Sequence, residues 1–165
     1  MPKNPSTGPP GPALTADGLA AFLLLGSGVV AFAYQLAQVW PFVADDAFIT
    51  FRYARNLASG FGPTWNPGGP RAEGFTSTGY VLLMALPELI GRDSVGFSRV
   101  IGVLSALGMA ASAAGVTSTL IRLGDTPDAG GSRRWLGPAF TAGALLAWYP
   151  TAIHAASGME TLAAA

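Results

Sequence analysis

Residues 18–44 read GLAAFLLLGSGVVAFAYQLAQVWPFVA, 27 residues without one charged side chain. A helix of about 20 apolar residues, within a range of roughly 17–25, crosses a hydrocarbon core of ~30 Å, so this run is long enough to span a bilayer. Three further charge-free runs follow, of 14 residues over 74–87, 22 over 100–121 and 25 over 135–159. The run over 74–87 is too short to cross. Three spans are therefore expected, at residues 19–39, 95–121 and 135–156. The expected fold class is an all-α polytopic membrane protein, with a long, partly helical outer loop (about 40–94) between its first and second transmembrane helices.

Composition agrees. Of 165 residues, 50% are hydrophobic and 11% charged, and the mean hydropathy is +0.42, whereas soluble domains carry roughly 25% charged residues. Nine basic residues cancel nine acidic ones, which leaves no excess positive charge for nucleic acid. Cysteine is absent, which removes disulfides, thiolate catalysis and Cys-based zinc sites. The second span is rich in small residues (Gly102, Ser105, Ala106, Gly108, Ala110 and their neighbours), which let helices approach closely in lipid. Trp40, Trp135, Trp148 and Tyr149 fall near the expected interfaces, as aromatic belts do.

Residues 1–17 are Pro-rich and read as a disordered tail. Ala31-Phe32-Ala33 has the A-x-A form of a signal-peptidase site, but the leader holds only Lys3 as a basic residue, far from the apolar run. The reading retained is a span. The short loop 122–134 carries three Arg in 13 residues and should set the orientation. That puts residues 1–17 and 122–134 in the cytoplasm, and residues 40–94 and 157–165 outside.

Most chemistry-capable side chains sit in the outer loop. Residues 44–58 (ADDAFITFRYARNLA) read as an amphipathic helix ended by Ser59-Gly60. Asp45 and Arg52 lie two turns apart on one face, about 10 Å in helix rise, and Asn56 shares that face. Phe61–Pro70 is built from turn formers around Asn66-Pro67-Gly68. Residues 79–90 read as a short helix lying on the membrane surface.

Each candidate has two readings. Asp45 can cap the helix with Asp46 in its first turn, favoured by the helix dipole. Alternatively, a carboxylate at the membrane boundary deprotonates a nucleophile or holds a divalent cation. Arg52 and Arg55 are either surface charges or contacts to the phosphate of a lipid-linked substrate, which a guanidinium suits. Glu73 is a loop acid. Glu160 follows the third span and should return to the outer surface that carries Asp45. His154, the only histidine, reads as a packed or interfacial side chain.

The ordered set Asp45-Asp46, Arg52-Tyr53-Ala54-Arg55-Asn56, Asn66-Pro67-Gly68 and Glu73-Gly74-Phe75-Thr76 resembles the first outer loop of bacterial membrane glycosyltransferases of the GT-C fold class. The similarity is to the branch containing the terminal arabinofuranosyltransferases of mycobacterial cell walls. It runs from about Ala16 to the end of the chain, and Gly158-Met159-Glu160-Thr161 resembles the segment after that branch's third span.

The resemblance implies an inverting hexosyl or pentosyl transferase of the bacterial cytoplasmic membrane. It would take sugar from a polyprenyl-phosphate carrier to a cell-envelope glycan or lipid acceptor on the outer side. Asp45 would be the base and Asp46 a second carboxylate orienting acceptor or cation. Arg52 would contact phosphate, Arg55, Tyr53 and Asn56 would belong to the substrate site, and Glu73 and Glu160 would be secondary acids. Some members of the fold class hold a divalent metal near this site, on Asp45 and Asp46 if it is present here, and others do not. Family members have many more spans, so residues 18–165 are expected to be the amino-terminal part of such a domain. The alternative is a small non-catalytic membrane scaffold or subunit in which the Asp pair only caps a helix.

Overall fold

A computed structural model describes residues 15–69, 74–124 and 132–162, and every regular element among them is a helix. Helix α1 (Ala16–Val39) starts at Thr15, whose extended backbone lets its hydroxyl accept from the Gly18 amide at 3.2 Å. The expected tail lies outside the described residues as far as residue 14; Ala16 and Asp17 already belong to α1. Two shorter helices follow, α2 (Ala47–Ala58) and α3 (Thr78–Leu89), and then the 31-residue α4 (Ser94–Gly124). The Asp93 carboxylate opens α4 by accepting from the Gly96 amide at 2.8 Å.

Helices α1 and α4 are each long and apolar enough to cross a membrane, yet only 17% of the most apolar stretch of either is buried within the chain. Phe22 is 71% and Leu123 80% exposed. The core helix of a soluble protein buries such side chains, so this outward apolar surface is compatible with membrane association.

The third expected span differs from the single helix read from sequence. It consists of α5 (Leu136–Ala147) and α6 (Tyr149–Ala156), separated at Trp148, whose backbone is extended (φ −72°, ψ 116°). The cause is Pro150. In an unbroken helix its missing N–H would fail to reach the Leu146 carbonyl, and its ring would press on that carbonyl. The break restarts the helix with Pro150 in the first turn of α6, where no amide donor is required. Carbonyls freed at the end of α5 find side-chain donors: the Thr151 hydroxyl donates to Leu145 at 2.8 Å, and the Gln35 amide of α1 donates to Ala147 at 2.9 Å.

Backbones meet directly where α1, α4, α5 and α6 pack. A Cβ added to Gly28 would stand 2.4 Å from the Gly143 backbone, and one on Gly102 would stand 2.2 Å from the Ala155 carbonyl oxygen. Small side chains therefore fill the core between these helices, where Ala106, Ala110, Ala142, Ala152 and Ala155 surround Phe32 and Leu146. At one end of the bundle Ala21 and Phe22 of α1, Ala114 of α4 and Pro138 of α5 line a shared groove. At the other end Gln35 meets Ala147 and Gly102 meets Ala155. Helices α1 and α5 thus run in one direction and α4 in the other.

A second core sits on the latter end. Ala47, Phe51 and Ala54 of α2 pack with Tyr80, Met84 and Ala85 of α3, joined by Val95, Phe97 and Ile101 of α4 and by Met159. Ser77 caps α3, accepting from the Tyr80 amide at 3.3 Å. The described part of residues 40–94 is thus a packed layer on the helix ends.

Candidate functional site

The two acids stand where α1 hands over to α2. The helix begins at Ala47, three residues later than the sequence pattern suggested, with Asp46 in the N-cap position. Its backbone is already helical (φ −64°, ψ −26°) and its carboxylate makes no capping hydrogen bond. A capping side chain needs extended backbone to fold back onto the first amides, so Asp46 stands in the cap position expected of Asp45 without capping. Asp45 lies one residue earlier, and the Phe48 amide bonds its backbone carbonyl at 3.1 Å instead of its side chain. Both carboxylates are exposed, and neither has a hydrogen-bond or ion-pair partner among the described residues.

The ground they stand on is firmly held. The Ala44 amide donates to the Ser157 carbonyl at 2.9 Å, tying the start of α2 to the end of α6. Next to it Gly158 takes a positive φ of 78°; a Cβ there would stand 2.9 Å from Phe51 Cζ and 3.2 Å from Ala47 Cβ. This close approach lays residues 157–160 against α2. Glu160 then accepts a hydrogen bond from the Thr76 hydroxyl, and Tyr80 donates its phenol to the Gly158 carbonyl at 3.1 Å. Burial, reinforced by the neighbouring Glu160 carboxylate, pushes the Tyr80 phenol up to about 12. Glu160 therefore returns to the end of the molecule that carries Asp45, as the sequence led one to expect.

The basic and amide residues of α2 serve the following loop. Arg52 Nε donates to the Trp65 carbonyl and Nη2 to Asn66 Oδ1, both at 2.9 Å, while its guanidinium covers the Trp65 ring at 4.4 Å. Asn56, one turn on, donates to the Thr64 and Trp65 carbonyls at 2.6 and 3.1 Å. The shared face of Arg52 and Asn56 is real, and it grips 64–66. Tyr53 is buried between Trp65 and Phe75, with ring centroids 5.9 and 5.0 Å away. Arg55 stands apart from this group and pairs at 3.5 Å with Glu88 of α3, whose side chain is only 12% exposed and also accepts from the Ser94 hydroxyl. Glu73 lies outside the described residues.

No family model, no curated protein and no solved structure matches the chain.

Among the described residues no three His, Asp or Glu side chains gather as a metal-binding group. Two carboxylates such as Asp45 and Asp46 are the share a protein gives to a Mg²⁺ ion, whose other positions are filled by waters and substrate phosphate. Two participants escaped the sequence reading, Tyr80 and Ser98, which both face residues 157–159. Arg99, an ionisable group near the end of an expected span, lies over the Trp40 ring at 5.0 Å. Arg99 alone had a sequence signal, as the last charge before the uncharged run 100–121.

Proposed function

We propose that this chain is part of a polytopic membrane glycosyltransferase that takes a sugar from a polyprenyl-phosphate carrier on the outer side of a bacterial cytoplasmic membrane. The observation that carries this reading is the pair of unpartnered carboxylates, Asp45 and Asp46, exposed on an otherwise fixed surface at one end of the apolar helices. A general base must be free to accept a proton and must be held in position. A helix-capping pair would be occupied.

In the proposed reaction the Asp45 carboxylate takes the proton of an acceptor hydroxyl. That oxygen bonds to the anomeric carbon from the face opposite the carrier, and the bond from carbon to the carrier's phosphate oxygen breaks. The electron pair leaves on the lipid phosphate, and the anomeric configuration inverts. Phosphate is a competent leaving group, so the site requires a base, cationic stabilisation of the departing phosphate and an opening to lipid. Asp46 and Glu160 orient the acceptor from either side, with α1 and α4 conducting the prenyl tail.

Asp45→Asn should abolish transfer from a polyprenyl-phosphate sugar in membranes of cells expressing the natural reading frame, while insertion of the chain is unchanged. Full activity in that variant would remove the base assignment. The scaffold alternative predicts instead that Asp45→Asn and Asp46→Asn both leave function intact, at a cost of about 1 kcal/mol of local stability.

A further inference from the structure

Arg99 is the sixth residue of α4 and directly precedes 22 residues without a charge. In a bilayer the guanidinium stands at the depth where hydrocarbon gives way to headgroups. One of its faces is covered by Trp40, whose ring centroid is 5.0 Å away. Its Nε is buried without a hydrogen-bond acceptor, and among the described residues no carboxylate or carbonyl serves any of its N–H groups. The Nε is sealed from lipid, but neither Nη group is among the buried unpartnered atoms and neither has an acceptor among the described residues. A cationic donor without an acceptor is costly, and a lipid phosphate can reach the Nη edge.

The neighbours of Arg99 belong to the same end of the molecule as the acids. Trp40 ends α1 and lies five residues before Asp45. Ser98, the neighbour of Arg99, faces Gly158, which in turn rests on Ala47 at the start of α2. Arg52 is differently placed, because its Nε and one Nη are spent on the loop at 65–66 and its face on Trp65.

We propose that Arg99 is the receptor for the phosphate of a lipid at this end of the molecule, with Trp40 as its platform and Arg52 as a loop-positioning residue. That the lipid is the prenyl carrier rests on the transferase reading; the phosphate site itself does not. A planar guanidinium with one face stacked still presents two parallel N–H groups at its edge, which match two phosphate oxygens.

The test is retention of radiolabelled undecaprenyl phosphate by the full chain in phosphatidylcholine nanodiscs. Arg99→Gln should weaken retention about tenfold or more, the loss expected for a charge-assisted bidentate contact. Arg99→Lys should restore part of it, and it also reports whether the site folds without the guanidinium. Arg52→Gln should change retention by less than about threefold. Wild-type retention by Arg99→Gln, a larger loss in Arg52→Gln, or no retention by the wild-type chain overturns the proposal.

Competition with phosphatidic acid separates the two sources of phosphate. Indifference to it identifies the prenyl carrier, and equal competition identifies a site for lipid phosphate in general; Arg99 is the receptor in both. Asp45→Asn should retain the lipid while losing transfer. If it keeps transfer, only the base assignment to Asp45 fails; if the wild-type chain retains the lipid through Arg99 but transfers no sugar, the transferase reading fails and the phosphate site stands.

Discussion

Replacing Gly158 with alanine tests whether the segment 157–160 is wedged against α2 as described. Two costs add. An L-residue at the positive φ of 78° loses roughly 1–2 kcal/mol relative to glycine. The new methyl would also stand 2.9 Å from Phe51 Cζ, 3.2 Å from Ala47 Cβ and 3.3 Å from Ser98 Oγ. None of the three can easily give way, since they are 4%, 2% and 1% exposed. Overpacking of this kind costs about 1–3 kcal/mol, so Gly158→Ala should lose about 2–5 kcal/mol in all. Gly62 is the matched control, with the same φ of 78° and nothing within 4 Å of an added Cβ. Gly62→Ala should lose only the backbone part, roughly 1–2 kcal/mol. Unfolding of both variants by SDS titration in mixed micelles, followed by far-UV circular dichroism, isolates the steric difference. If the two lose the same stability to within about 0.5 kcal/mol, which is the usual size of a surface substitution, the contact between residues 157–160 and α2 is wrong.

The α1–α5 crossing gives a second matched pair. Gly28→Ala drives a methyl to 2.4 Å from the Gly143 backbone and should destabilise the bundle by about 1–3 kcal/mol, whereas Gly26→Ala, with open space around it, should be neutral or slightly stabilising in the same titration. The Tyr80 phenol supplies a pH dependence. Its folded value is raised to about 12 from the ordinary 10.0, so the unfolded chain releases this proton first; stability should be level below pH ~10 and fall by about 2 kcal/mol on the way to pH ~12. Tyr80→Phe should flatten that decline in a pH series of the same unfolding measurement.

The charge-free runs were enough to locate α1 and α4, because length and apolarity are properties of consecutive residues. They were not enough for 135–156. There Pro150 and the exposed carbonyls it creates depend on whether another helix can supply donors, and Gln35 is 112 residues away in the chain. The order of motifs in the outer loop translated well into space. Tyr53, Trp65 and Phe75 converge, Arg52 and Asn56 share a face, and Glu160 comes back to the acids. What local pattern did not show was which polar side chains have distant partners. Asp46, expected in the first turn, takes the cap position, with a helical backbone set by the turn from Ala44. Arg52 holds Trp65 and Asn66, 13 and 14 residues away. Phe48 matches the apolar period of α2 and is nevertheless 51% exposed.

On the proposed reading as a membrane protein, the interruption at Trp148 bears on how residues 136–156 would enter a bilayer during synthesis. Helix α5 has 12 residues, about 18 Å at 1.5 Å per residue, well short of a ~30 Å core. Taken alone it would carry its open carbonyls into lipid, where each unsatisfied group costs several kcal/mol. The donor for Ala147 is Gln35, delivered by the ribosome 112 residues earlier. On that reading the apolar stretch 136–156 would not be an autonomous insertion unit but a client of α1, which leaves the ribosome first and would already be seated.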